Sequence, residues 1–250
     1  MGIGDSISQH QAGLIMAVKS IHVLSGGAAM GLSGACAPRF EAQHPAKIVG
    51  TFGAVGAMKA KLLDGSVCDV LILTESLIDE LTKASLIRAN SARSLGLVKT
   101  ALAVKAGQVA QSLDDPSTLK AALLKATAIY FPDPQLATAG IHFKKVLQQM
   151  GIDEQVADRL KTFPNGAAAM NAMAQSEDPH VMGCTQATEI LITPGVTYAG
   201  DLPKIYELAT RYVGAVTARS EHPDLAEKWL DVLTDPQTLN LRLKMGFLPD

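Results

Sequence analysis

The sequence predicts an α/β protein of two lobes with a ligand crevice between them. Short β-like apolar runs alternate with helix-like runs for most of the chain. Three turns of small residues, Ser25-Gly26-Gly27-Ala28-Ala29, Gly53-Ala54-Val55-Gly56 and Thr138-Ala139-Gly140, each lie between a β-like run and a helix-like one. A second βα series also interrupts the first, whose closing helices come only at the C-terminal end. A βαβα order implies parallel, doubly wound sheets that bind ligand at the carboxyl ends of their strands. Without bulky side chains, the free N–H groups of a helix N-terminus can close directly on a ligand, and the helix dipole favours a negative one.

In order, residues 21–24 predict a strand, 32–40 a helix, 47–52 a strand and 58–63 a helix. Residues 69–73 (DVLIL) have the unbroken apolar character of a strand buried on both faces. Residues 76–84 predict a helix with Ser76 as N-cap and Asp79 completing a capping box. A strand at 97–105, a helix at 119–125, and a strand at 128–131 ended by Pro132-Asp133-Pro134 follow, with Asp133 as a turn former. The turn at 138–140 opens a helix over 141–150, and Phe163-Pro164-Asn165-Gly166 opens one over 167–174. Short strands at 180–184 and 212–218 and helices at 223–233 and 236–244 complete the chain. Residues 14–96 with 216–250 are expected to form the first lobe, 97–215 an inserted second lobe, and 1–13 a flexible extension.

The composition, 48% hydrophobic and 18% charged, supports a sizeable core. A formal net charge of −2 with no basic stripe argues against nucleic-acid binding. Cys36, Cys68 and Cys184 are far apart and lack metal spacing, so they read as buried free thiols. His10, His44, His180 and His222 are dispersed, so no metal site and no cofactor are expected. No signal peptide is evident, so the chain is expected in the periplasm if a leader was removed and in the cytoplasm otherwise. Nothing such as a heptad requires a second copy, so a monomer is expected.

Four segments carry a resemblance: VLSGGAAMGLSGACAPRFEAQHP, TFGAVGAMKAKLLDGSVCDVLILT, FPDPQLATAGIHFKKVLQQMGI and WLDVLTDPQTLNLRLKMGF. Together they span nearly the whole chain, which resembles the molybdate-binding branch of type II periplasmic solute-binding proteins, the receptors of ABC importers. The resemblance implies two Rossmann-like lobes (the type II periplasmic-binding-protein fold), a small anion in the cleft and an importer membrane subunit as partner. Members of that branch usually donate to their oxyanion through hydroxyl side chains in the first two loops and often through a tyrosine in the second lobe. The matching positions here are Ala28, the hydroxyl-free Gly53–Gly56 turn and Gln186. Each missing charge-assisted bond costs roughly 1.5–3 kcal/mol, so an organic carboxylate is expected rather than molybdate.

Two functions are therefore expected. In the first, a binding protein grips the anion through Ser25, Gly26, Gly27, Ala28, Gly53, Ala54, Val55, Gly56, Thr138, Ala139, Gly140, Asn165 and Gly166, with Gln186 and Lys59 tuning selectivity. Ser25 and Thr138 serve equally well as helix caps, and Lys59 as a solvated lysine. In the second, an isomerase on the same scaffold moves a proton across an allylic tricarboxylate, as does an aconitate isomerase that the branch includes. His142 or Glu189 would then be the base, though His142 can equally pack on its helix and Glu189 equally cap or pair.

Overall fold

The computed structural model describes residues 18–108 and 112–250, so the expected extension at 1–13 lies outside the described residues. The chain opens with β1 (Lys19–Gly26), a 3₁₀ turn (Gly27–Ala29) and α1 (Met30–Gln43), then β2 (Ala46–Gly53) and α2 (Val55–Leu63). After these come β3 (Val70–Thr74), α3 (Glu75–Lys83) and the long β4 (Arg93–Lys105). The second series runs α4 (Pro116–Lys125), β5 (Ile129–Pro132), α5 (Thr138–Gln149), β6 (Leu160–Phe163) and α6 (Gly166–Gln175), followed by β7 (Met182–Gln186), α7 (Ala187–Leu191) and β8 (Val196–Asp201). The return is β9 (Ala209–Val216), α8 (Pro223–Thr234) and α9 (Leu239–Lys244).

Among the described residues the strands hydrogen-bond in the order β2-β1-β3-β9-β4-β7-β5-β6, with β8 also on β4. β1 pairs parallel with β2 and β3, and β5 pairs parallel with β6 and β7. The two lobes are built on these parallel sets. The expectation of parallel sheets fails at β4 and β9, which are antiparallel to their neighbours. The reason is topological: the chain leaves the first lobe along β4 and returns along β9, side by side. Residues 93–99 of β4 pair with β9, and residues 100–104 pair with β7, so one strand serves both lobes.

All five residues of β3 are buried, as the apolar run predicts. Around it pack Ile21, Phe40 and Trp229, with the Phe40 and Trp229 rings meeting edge-on at 5.4 Å. In the second lobe Phe131 and Phe143 make the corresponding edge contact at 5.4 Å over Leu102, Val146 and Leu147. Cys36, Cys68 and Cys184 are free and buried. Burial holds all three thiols above their ordinary range, Cys68 at about 12.

Several local expectations shift. Ser76 is not an N-cap: α3 starts at Glu75 and its cap position is Thr74, which makes no capping bond but lies 3.2 Å from the Ser76 hydroxyl. The helix expected over 236–244 breaks into a 3₁₀ turn (Pro236–Thr238), where the Asp235 carboxylate accepts from Gln237 N, and α9. β6 and β8 were not expected at all. Asp133 does form a turn, its carboxylate accepting from Gln135 N at 2.7 Å and Leu136 N at 2.9 Å.

Candidate functional site

Helix N-termini from both lobes converge on the cleft, and most carry no side-chain cap. The 3₁₀ turn before α1, α2 and α5 have Gly26, Ala54 and Ala137 at their cap positions, with no capping hydrogen bond from a side chain. Uncapped starts are not confined to the cleft, since α3 and α8 also lack a side-chain cap, whereas Asp115 accepts from Ser117 N and Thr118 N at the start of α4. Orphan N–H groups at a helix start call for an acceptor, so the alanines and glycines at the cleft leave that role to something outside the helices.

A cavity of about 20 Å³ lies among these termini. From the first lobe Gly27, Ala28, Gly53, Ala54 and Val55 line it. From the second come Thr138, Ala139, Asn165, Gly166, Gln186 and Glu189. Pro132, Ala137 and Tyr212 complete the wall. Ser25 and Gly26 do not line it: both belong to β1, and the buried Ser25 hydroxyl donates to Gly26 O at 2.8 Å. Gly140 sits one step behind the wall, against the carbonyls of Pro132 and Asp133.

Thr138 stands inside the first turn of α5 rather than at its cap, and its side chain lies close to the Tyr212 phenol. Gly56 closes the cleft on one side, its N–H donating across the lobes to Leu136 O at 3.1 Å. Lys59 and His142 lie outside the small cavity, on a neighbouring one of about 800 Å³ that shares Val55 and Thr138 with it. Lys59 pairs there with Glu80 at 2.6 Å, and His142 donates from Nε2 to Tyr206 O at 2.7 Å.

At the start of α6 the acceptor is already supplied. Asn165 is the N-cap, accepting from Ala168 N at 2.8 Å, and Glu189 accepts from Ala167 N at 3.3 Å and from the Thr185 hydroxyl at 2.6 Å. Asn165→Ala is expected to lower stability by about 1 kcal/mol, read in a denaturant titration, because it strips this cap. Glu189 reaches from the second lobe toward the first: a Cβ on Gly27 would overlap its Oε1, and one on Gly166 would overlap its Oε2. Burial raises the pKa of its carboxyl, against the lowering effect of the Thr185 hydroxyl and the N–H groups of Ala167, Gln186 and Gly166.

Gln186 differs in kind. Its residue is 3% exposed, and neither amide atom makes a well-formed hydrogen bond, the Tyr212 phenol being the polar group nearest to hand. A buried amide left unpaired costs roughly 1–3 kcal/mol, so such a group at a cavity wall points to a ligand. Tyr212 stands beside it, buried, its phenol pushed far above the ordinary range by burial and by the Glu189 charge. Tyr212 carries no signal in the sequence: it opens an apolar strand, and only the return of β9 between β3 and β4 brings it to the cleft.

Residues 21–248 match the family described as bacterial extracellular solute-binding protein. The chain belongs to that family. The aconitate isomerase of a Pseudomonas species is 25% identical to this solute-binding protein over 241 residues, covering 93% of this chain and 88% of the relative. Among solved structures, the periplasmic molybdate-binding protein of Azotobacter vinelandii aligns with a TM-score of 0.77 at 17% identity, over 92% of this chain and 99% of its own. The sulfate-binding protein SubI of Mycobacterium tuberculosis aligns at 0.71 and 19% identity, over 92% and 87%. Likeness at that identity establishes the fold of the solute-binding protein, and its ligand has to be argued from the cleft. Among its described residues no three His, Cys, Asp or Glu side chains group as a metal site would need, and no helix is long and apolar enough to cross a membrane.

Proposed function

We propose that this solute-binding protein takes a small organic carboxylate into the cleft and, as a receptor outside the cytoplasm, delivers it to the membrane subunit of an ABC importer. The observation that carries the reading is the pairing, at one cavity wall, of uncapped helix N-termini with a Gln186 amide that lacks a well-formed hydrogen bond. N–H groups suit a carboxylate oxygen. An amide also offers an acceptor, which a fully ionised oxyanion has no proton to use and a hydroxylated or protonated organic acid does. Opening would be a hinge motion at the paired strands β4 and β9.

A thermal-shift panel of molybdate, tungstate, sulfate, citrate and the two aconitates tests it. A ligand at one hundred times its Kd stabilises by about 2.7 kcal/mol, which corresponds to ~5–10 °C for a chain of this length. Carboxylates are expected to give that shift and the inorganic oxyanions none. A shift with molybdate alone overturns the reading.

One observation favours a second reading: Glu189 places a carboxyl, its pKa raised by burial, at the cavity wall, where it can take a proton from a ligand. With it, the chain would act as an isomerase that moves a proton across an allylic tricarboxylate, the helix N-termini holding the carboxylates. Proton NMR in D₂O with cis- or trans-aconitate separates the two. Interconversion with deuterium uptake, lost in Glu189→Gln while ligand binding persists, would establish the isomerase, and binding without exchange would leave the receptor.

A further inference from the structure

The inner cavity, about 20 Å³, has room for little more than one water-sized group. A carboxylate that enters it must leave the rest of its molecule elsewhere. The neighbouring cavity of about 800 Å³ begins at the same two residues, Val55 and Thr138, and runs between α2 and α5. Its charged lining is of one sign: Lys59 and Lys145 face it, with His142 beside them, and no Asp or Glu does. That is a marked bias in a chain whose formal net charge is −2. The rest of the wall is largely apolar, with Leu136, Ile141 and Leu208 among its residues.

Lys59 is partly neutralised by Glu80, whereas Lys145 makes no ion pair among the described residues. Lys145 lies one turn beyond His142 on α5, so the two present to the same cavity. Thr210, on the crossing strand β9, adds a buried hydroxyl with no partner to the same lining. Concave sites of this size, mostly apolar with a few convergent polar groups, suit an organic ligand rather than a bare ion.

We propose that the outer cavity is a second subsite, in which Lys145, with His142 and Lys59, receives a further carboxylate of a ligand whose first carboxylate sits in the inner cavity. This rests on the carboxylate reading above and narrows it to short-chain di- and tricarboxylates, whose carbon skeleton lies over Leu136, Ile141 and Leu208. Lys145 sets selectivity among acids: a monocarboxylate brings no second charge for it to receive.

Calorimetric titration of the wild type, Lys145→Met and His142→Gln with butyrate and with tricarballylate tests the assignment. Tricarballylate is expected to bind the wild type at least thirtyfold more tightly than butyrate. Lys145→Met is expected to weaken tricarballylate at least tenfold and butyrate by less than twofold, and His142→Gln to act in the same direction. Because Lys145 is exposed, folding is not at stake in that variant. Equal affinity for the two acids, with neither variant changing it, overturns the second subsite and leaves the carboxylate reading standing. Binding of molybdate with no response to either acid overturns both.

Discussion

Gly140→Ala is expected to lower the thermal midpoint by ~6–12 °C and to weaken any ligand response. A Cβ at this position would run into the carbonyl oxygens of Pro132 and Asp133, where α5 lies against the end of β5. A side chain in the way can change rotamer, but here the obstacle is backbone, so the helix must move as a body. Overpacking of this kind costs about 3 kcal/mol, and each kcal/mol shifts a chain of this length by ~2–4 °C. The shift carries Thr138 and Ala139 away from the cavity wall, hence the effect on ligand. Gly34→Ala is the control: it sits exposed within α1 with nothing within 4 Å of its would-be Cβ. It is expected to stabilise by about 0.5–1 kcal/mol through helix propensity. A Gly140→Ala protein that melts with the wild type would show that α5 can ride outward freely, and the close packing would then place nothing.

The turn at 138–140 shows what a sequence can and cannot disclose. Small residues between a strand and a helix say that something approaches the backbone closely, and at Thr138 and Ala139 that something is the cavity. At Gly140 it is the chain itself. The two demands leave the same residue types behind, so only packing separates them. Asn165 makes the same point: a polar residue before a helix reads as ligand donor or cap, and its carboxamide oxygen is used as the cap. The place of β3 in the alternation was legible because that strand is covered on both faces and is apolar along nearly all its length. The sense of β4 and β9 was not, because strand direction there follows from a return more than a hundred residues later. β6 has no fully buried residue and β8 none either, which leaves no hydrophobic periodicity to read. Tyr212 and Lys145 escaped for a related reason: which face of a strand or helix meets the cleft is decided by how the second lobe folds back on the first.

Glu189→Gln is expected to change how stability depends on pH, and the change decides what this residue does. The folded state raises the Glu189 pKa above its ordinary value, chiefly through burial. The native chain therefore binds more protons here than the unfolded chain, and the linkage slope is negative: stability from this group is full below the unfolded value near 4.5 and is lost as pH rises through the folded pKa. Glutamine keeps the shape and an acceptor for the N–H groups of α6 but cannot ionise. Subtracting the variant from the wild type cancels every other titration, and Tyr212, the other ionisable group coupled to this carboxyl, has its phenol pushed too high to contribute near neutrality. The wild type should thus lose ground to Glu189→Gln in denaturant titrations as pH rises above 4.5, until the folded pKa is passed. Glu189→Ala should cost ~2–3 kcal/mol at pH 5, a deficit that narrows with the same slope as pH rises, because it leaves the Thr185 hydroxyl and the N–H of Ala167 buried without a partner. The opposite trend, with the wild type gaining on Glu189→Gln as pH rises, would mean that the helix N-terminus outweighs burial and keeps the carboxylate ionised. A carboxyl that holds its proton can donate to an incoming carboxylate and help a receptor bind it. One that has lost it repels the ligand's charge, and earns its place at the cavity wall only by taking a proton from carbon.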